Sequence, residues 1–190
     1  LARYDHARER YVVRGVVGPD EFHTRYPEAE APGIDNNAYT NVMAAWVLGL
    51  ARPLLRLLPA SRQRELSASL ELTPVETERW EHIAHRLFVP FHGGGLISQF
   101  EGYDRLEELD WPDMRARHGD IHRLDRLLEA EGDDVNRYKA SKQADALNLS
   151  YLMSADEFHA LMPQLGDSWL PPPFSRTESY SLSFTSKGRT

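Results

Sequence analysis

The acidic pair Asp20-Glu21 follows directly after Gly18-Pro19 and is the stretch of the chain best suited to chemistry. Glycine allows unusual backbone angles and proline fixes φ, so Gly18-Pro19 predicts a rigid turn. A carboxyl group on such a turn can act as an acid catalyst if burial and the adjacent carboxylate keep it protonated near neutral pH. On local sequence alone, a turn without chemistry is the commoner outcome.

The elements expected to position this pair are a short strand before it and a long helix after it. Residues 11–17 are rich in β-branched side chains, which favours a strand that ends at the turn. Asn36-Asn37 can cap an apolar helix over about residues 38–58. Such a helix, apolar on all sides, is normally buried by several neighbours, and Pro53 should kink or divide it.

The rest of the chain predicts mainly α structure with short hairpin-like β insertions. Thr73-Pro74 and a capping box over Ser154–Glu157 mark two helix starts, because their side chains can satisfy free backbone N–H groups. Trp111-Pro112 is expected to stop a helical turn. Helices are predicted over residues 61–70, 74–88, 121–131 and 137–153, with a helical turn at 106–110 and a glycine-rich turn and short strand over 91–103.

Composition excludes several classes of function. With 41% hydrophobic and 27% charged residues, the 190-residue chain has the balance of a soluble globular protein of one or two domains. The net charge of −7 argues against a nucleic-acid surface. Polar and helix-breaking residues interrupt the longest apolar run, so no membrane span is predicted. The absence of cysteine excludes disulfides and thiolate metal sites, and His82 and His85 lack evident further ligands, so no metal site is predicted.

Two longer motifs connect the acidic pair to a known family. Residues 18–23 (Gly-Pro-Asp-Glu-Phe-His), followed by residues 35–41 (Asp-Asn-Asn-Ala-Tyr-Thr-Asn), resemble the catalytic segment of glycoside hydrolase family 65. The similarity recurs at Phe100–Tyr103 and Tyr138–Asp145 and runs in order over about residues 10–165. That family contains inverting phosphorylases of maltose, trehalose, kojibiose and nigerose, together with some hydrolases. The resemblance implies that the helices here form a segment of the family's (α/α)6 barrel.

The resemblance also implies roles for the matching residues. Glu21 would be the general acid that protonates the glycosidic oxygen. Lys142 and Gln143 would contact the glucosyl unit, since their side chains offer the donors and acceptors that vicinal hydroxyls need. Other polar residues are expected either beside the substrate or as supports of the loop: His23, Asn36, Asn37 and, as a weaker candidate, Glu101.

The resemblance implies no cofactor. Inorganic phosphate would be the co-substrate and nucleophile, giving β-glucose 1-phosphate from an α-glucoside. The family's phosphate-binding segment resembles Arg-Thr-x-His-Gly-Ser-x-Leu-Ser, whereas residues 176–183 lack its histidine and glycine and are one residue shorter. Ser181 and Ser183 are therefore weak phosphate candidates. A hydrolase would instead need a second carboxylate to activate water, for which Glu178 is available.

The organisation predicted from these observations is a partial barrel over residues 1–165 and a tail over 166–190 that is irregular, disordered or aberrant. The chain starts after the position of the family's upstream Trp-Asp pair. Three alternatives stay open: part of a cytoplasmic, homodimeric disaccharide phosphorylase, part of a hydrolase such as an acid trehalase, or an inactive truncated piece. An open barrel segment would expose apolar faces, so the isolated chain should self-associate or melt with little cooperativity.

Overall fold

A computed structural model describes residues 2–93 and 95–165, with the side chain of Gln164 left out. The predicted tail over residues 166–190 lies outside these residues, as do the candidates Glu178, Ser181 and Ser183.

Helices make up most of the ordered structure, which confirms the predicted class. Within the described ranges there are seven α-helices: α1 (Ala38–Leu57), α2 (Ala60–Ser69), α3 (Pro74–Ala84), α4 (Trp111–His118), α5 (Leu124–Ala130), α6 (Asp145–Leu152) and α7 (Ala155–Leu165). Single turns of 3-10 helix occupy Tyr103–Arg105 and Val135–Arg137. The strands β1 (Arg3–Asp5) and β2 (Arg10–Val12) pair antiparallel, as do β3 (Phe91–His92) and β4 (Leu96–Ile97).

Helix α1 packs against helices from both the first and the last part of the chain. It begins where the Asn37 side chain accepts a hydrogen bond from the Thr40 backbone N–H at 2.9 Å, as predicted for an asparagine cap. Pro53 lies inside the helix and does not divide it. Helix α1 packs against α3 and α6, so the three helices hold the first part of the chain and the last part together.

Two apolar clusters lie on either side of the acidic turn. The larger one joins β2, α1 and the last two helices and contains Tyr11, Val13, Ala38, Val42, Ala45, Leu87, Val89, Leu149, Met153, Met162 and Leu165. The smaller one joins the turn to α4 and α5 and contains Phe22, Leu109, Met114, Leu124, Leu128 and Ala140. The turn at residues 18–21 therefore crosses from one cluster to the other, anchored by Val13 before it and Phe22 after it.

Helix α4 corrects the prediction that Trp111-Pro112 ends a helical turn, because the dipeptide instead begins a helix. The Asp110 carboxylate accepts a hydrogen bond from the Asp113 N–H at 2.9 Å and caps α4. Pro112 lies in the first turn, where the missing N–H would have had no intrahelical partner. Leu106 has an extended backbone rather than a helical one.

The helix predicted over residues 137–153 begins only at Asp145. Residues before it are held by partners far away in the sequence: the Lys139 N–H donates to the Glu107 carbonyl at 2.7 Å, and the Lys142 N–H donates to the Asp20 carboxylate at 3.0 Å. These bonds compete with helix formation because they use the N–H groups of the segment in an extended geometry. Lys142 and Gln143 consequently lie in a loop and not on a helix.

The far face of α1 is open. Its apolar side chains at helical spacing remain solvent-exposed among the described residues: Val47, Leu50, Leu54 and Leu57, the last with 79% of its surface accessible. Helix α1 was expected to be buried by several neighbours, and within the part of the chain that the structure describes one of its apolar faces stays uncovered. In that part, no helix combines the length and the hydropathy that a membrane span requires.

Candidate active site

The two members of the acidic pair have opposite environments. Asp20 is 3% exposed, whereas the Glu21 side chain is 63% exposed. The Asp20 Oδ1 atom accepts hydrogen bonds from the backbone N–H groups of Phe22 at 3.2 Å, Lys142 at 3.0 Å and Gln143 at 3.4 Å. One buried carboxylate thus holds the backbone of the acidic turn against the backbone of the Lys142-Gln143 segment.

His23 completes the surroundings of Asp20. Its Nδ1 atom lies 2.8 Å from Asp20 Oδ2, and its Nε2 atom lies 2.9 Å from the Tyr138 carbonyl oxygen. Both ring nitrogens therefore face oxygen atoms, a carboxylate oxygen on one side and a backbone carbonyl oxygen on the other. The ring is 1% exposed and packs against Phe100 and Tyr103, so His23 supports the turn from inside and is not a surface contact for a ligand.

Above this buried layer, Glu21 and Lys142 meet at the surface. The Lys142 Nζ atom lies 2.5 Å from Glu21 Oε2, although the two residues are 121 positions apart in sequence. The Gln143 side chain is exposed next to Lys142. The partial burial expected for Glu21 is not provided by the described residues, and the pair instead presents a carboxylate and an ammonium together to solvent.

A second buried carboxylate, Asp145, lies beneath the turn. Its Oδ1 atom accepts from the Asp20 backbone N–H at 2.6 Å, and its Oδ2 atom accepts from Asn37 Nδ2 at 2.6 Å. Burial raises the pKa of Asp145, and it outweighs the opposing effect of these hydrogen bonds. Asn37 is therefore bonded both to its own helix and to Asp145, which gives it a supporting position.

Asn36 and Glu101 belong to a neighbouring group that holds the strand side of the turn. Asn36 has φ 50°, and its Oδ1 atom accepts from the Val13 N–H at 3.0 Å, while its Nδ2 atom donates to Glu101 Oε2 at 2.7 Å. Arg8 contacts both oxygens of the Glu101 carboxylate, at 3.1 and 2.6 Å. Burial alone would raise the pKa of Glu101, but the bonds from Arg8 and Asn36 lower it below its usual range. Asn36 and Glu101 are therefore bonded within this group and not to the Glu21–Lys142 pair.

The supporting roles of three residues were not predicted: Asp145 and Gln99 carried no predicted role, and Asp20 was expected only to help keep the adjacent carboxyl group protonated. Asp145 is the last residue of the Lys-Gln-Ala-Asp sequence, and Asp20 directly precedes Glu21, so their motif positions were a usable signal. Gln99 offered no comparable signal. Its Nε2 atom donates to Ser141 Oγ at 2.6 Å and its Oε1 atom accepts from the Ala146 N–H at 2.9 Å, which attaches the Lys142 loop to the β4 segment.

Comparison with known proteins identifies the family. The model of the glycosyl hydrolase family 65 central catalytic domain matches residues 1–183. The chain belongs to glycosyl hydrolase family 65. This family 65 chain is 55% identical over 190 residues to a protein of Mycobacterium tuberculosis (strain H37Rv) described as an uncharacterized glycosyl hydrolase, and it covers 14% of that protein. It is 35% identical over 165 residues to the trehalose 6-phosphate phosphorylase of Lactococcus lactis, of which it covers 20%.

The fold agrees with that membership. A putative kojibiose phosphorylase from the human microbiome superposes with a TM-score of 0.60 at 17% identity, over 88% of this chain and 23% of that one. The family 65 chain is thus a mainly helical segment of an (α/α)6 barrel, as the resemblance implied. It spans a minor part of the length of its relatives. Within residues 2–93 and 95–165, no group of three or more His, Asp or Glu side chains is placed to hold a metal ion.

Proposed function

We propose that this chain is part of an enzyme for inverting phosphorolysis of an α-linked glucose disaccharide of the trehalose, kojibiose or maltose type. The products would be β-glucose 1-phosphate and the second sugar. One observation carries the proposal: the buried Asp20 carboxylate bonds both motif segments and brings the Glu21 carboxylate and the Lys142 ammonium to 2.5 Å at an exposed surface. An acid and a set of sugar-hydroxyl donors are the two groups that cleavage of a glycosidic bond requires on the donor side.

In the proposed reaction, Glu21 transfers its proton to the glycosidic oxygen as the bond from that oxygen to C1 of glucose breaks. Phosphate forms the new bond to C1 from the opposite face, so the α-glucoside gives a β-phosphate. The protonated leaving sugar departs as a neutral alcohol, and Glu21 is left as a carboxylate. No second carboxylate is needed, because phosphate is itself the nucleophile.

Substrate binding would change the contact of Lys142. Its ammonium has three donors, and together with the Gln143 amide it suits vicinal hydroxyls of the glucosyl unit. Sugar hydroxyls would take over donors that now face Glu21, and this releases the carboxyl group for proton transfer. Burial of the Glu21 carboxyl group would come from regions beyond the described residues. Ser181 and Ser183 also lie outside the described residues and remain the candidate phosphate contacts.

The relatives support the reaction class and leave the substrate open. They include phosphorylases of trehalose 6-phosphate, kojibiose and maltose. A substrate panel should therefore contain the three disaccharides and the phosphorylated one. A cytoplasmic homodimer without a further cofactor completes the proposal, on the family resemblance alone.

Hydrolysis is the second candidate, because the Mycobacterium tuberculosis relative is described as a glycosyl hydrolase. In that case Glu178 would activate water in place of phosphate. Turnover with and without phosphate separates the two reactions, since a phosphorylase releases no glucose from the donor side when phosphate is absent.

The general acid can be tested with Glu21→Gln in the full-length gene product that carries these residues. We expect turnover of the natural disaccharide to fall by about 10²–10⁴-fold, because the leaving alkoxide then has no proton donor. An activated α-glucosyl donor whose leaving group needs no proton should lose far less. Glu28→Gln changes an exposed glutamate on the following loop and should retain normal turnover. Near-normal turnover of the disaccharide by Glu21→Gln would disprove the assignment.

A further inference from the structure

A buried hydrogen-bonded chain joins three elements beneath the Glu21–Lys142 pair. It runs from Asn37, the cap of α1, to the Asp145 carboxylate at the start of α6, and from there to the Asp20 backbone N–H in the acidic turn, with both contacts at 2.6 Å. Asn37 also caps α1 by accepting from the Thr40 N–H and Oγ1 groups at 2.9 and 3.0 Å. The orientation of its amide is therefore set, since the oxygen is used by the helix and only the nitrogen can face Asp145.

This hydrogen-bonded chain leaves the acidic turn very little room to move relative to α1 and α6. Asp145 is 1% exposed and Asn37 is fully buried, so a carboxylate oxygen that lost its donor would be left without water to replace it. Gly18 closes the remaining space: a Cβ atom there would lie 2.8 Å from Asn37 Cγ and closer still to Asp145 Oδ2. The turn is consequently held at one distance from α1 and α6.

The positions of the bonded atoms connect this chain to the chemistry. The Asp20 amide is one residue before Glu21, and Asp145 is three residues after Lys142. Movement of either attachment point would change the spacing of the carboxylate and the ammonium, and a displacement of about 1 Å in a catalytic group can cost about 10²-fold in rate. Neither Asn37 nor Asp145 bonds to the Glu21 or Lys142 side chain itself.

We propose that Asp145 and Asn37 are positioning residues, which set the geometry of Glu21 and Lys142 by holding the acidic turn against α1 and α6. This inference rests on the proposed function. It assigns Asn37 to the support of the site and removes it from the substrate contacts that the sequence had allowed.

The polarity of the pair makes an exchange experiment possible in the full-length protein. Asp145→Asn places two amide nitrogens against each other, or leaves the Asp20 N–H facing one, and Asn37→Asp places two carboxylates against each other. The double variant Asn37→Asp with Asp145→Asn restores one donor and one acceptor at the same place. It also keeps the cap of α1, because aspartate accepts from the Thr40 N–H as asparagine does. Asp104→Asn, an exposed aspartate, is the matched control.

We expect each single variant to lose about 100-fold in kcat on the natural disaccharide, with a smaller loss on an activated donor that needs no acid. The double variant should recover most of the kcat, the ratio of the two rates and the thermal midpoint, while Asp104→Asn changes none of them. A double variant that recovers the thermal midpoint without the kcat would overturn the inference, because the pair would then be structural only. Single variants with normal kcat would overturn it as well.

A separate measurement distinguishes failure of this inference from failure of the proposed function. If the unmodified protein cleaves no disaccharide, the phosphorolysis proposal fails. Calorimetric titration with glucose then decides the positioning role, and binding that is lost in both single variants and restored in the exchange supports it. A protein that neither cleaves disaccharides nor binds glucose overturns both proposals.

Discussion

A methyl group added at Gly18 should separate the Asn37–Asp145 pair, and the same methyl group added at Gly49 should not. At Gly18, the new Cβ atom would lie 2.8 Å from Asn37 Cγ, a distance that real Cβ contacts do not show. At Gly49, in the middle of α1, it would lie 4.0 Å from the Ala84 Cβ atom, an ordinary van der Waals contact. The two glycines therefore offer one substitution in two environments.

The two substitutions should change the free energy of unfolding in opposite directions. In Gly18→Ala, the side chains of Asn37 and Asp145 must move apart, and a hydrogen bond to a buried carboxylate is weakened or lost. We expect the free energy of unfolding to fall by about 2–4 kcal/mol, between the value of one bond to a charged group and that of a buried charge left without its partner. In Gly49→Ala, the gain in helix propensity should raise it by about 0.5–1 kcal/mol.

Two measurements on the full-length protein test this: the unfolding free energy from urea unfolding and, separately on the folded protein, kcat with the disaccharide. Gly18→Ala should lower both the unfolding free energy and kcat, because the acidic turn loses its attachment to α6. Gly49→Ala should leave kcat unchanged. If Gly18→Ala proved as stable and as active as the unmodified protein, the close approach of the turn to the Asn37–Asp145 pair would be refuted.

Three further predictions concern other parts of the chain. Glu101→Gln removes a carboxylate whose pKa is lowered below the ordinary value of 4.5, so it should destabilise the protein at neutral pH. In urea unfolding, the difference in unfolding free energy between the variant and the unmodified protein should shrink as the pH falls through the folded-state pKa. A pH-independent difference would contradict this. Replacing the exposed Leu54 and Leu57 of α1 with lysine should reduce self-association of the isolated chain in sedimentation experiments, and unchanged self-association would contradict this. Thr73→Ala removes the cap of α3 and should lower the unfolding free energy by about 1 kcal/mol, whereas Thr73→Ser should retain most of it.

The fold class and several helix starts could be predicted because their signals are local. Asn37 caps α1, Thr73 caps α3, and Ser154 exchanges hydrogen bonds with Glu157 at the start of α7, all as their sequences indicate. Each of these bonds joins residues three positions apart, so a short window of sequence contains both partners. The family motif likewise assigns Glu21, Lys142 and Gln143 to one expected site from residue types and order alone.

What only the tertiary structure decided is how that site is held. Asp20 and Glu21 are adjacent, yet one is buried and the other exposed, and no local pattern distinguishes them. Lys142 was expected on a helix and lies in a loop, because its N–H bonds to the Asp20 carboxylate, 122 positions away. By itself, the sequence determined the helices that cap themselves and the chemical groups of the site. Burial and long-range hydrogen bonding determined the rest, because a carboxylate removed from water bonds whatever N–H groups the packed chain brings to it.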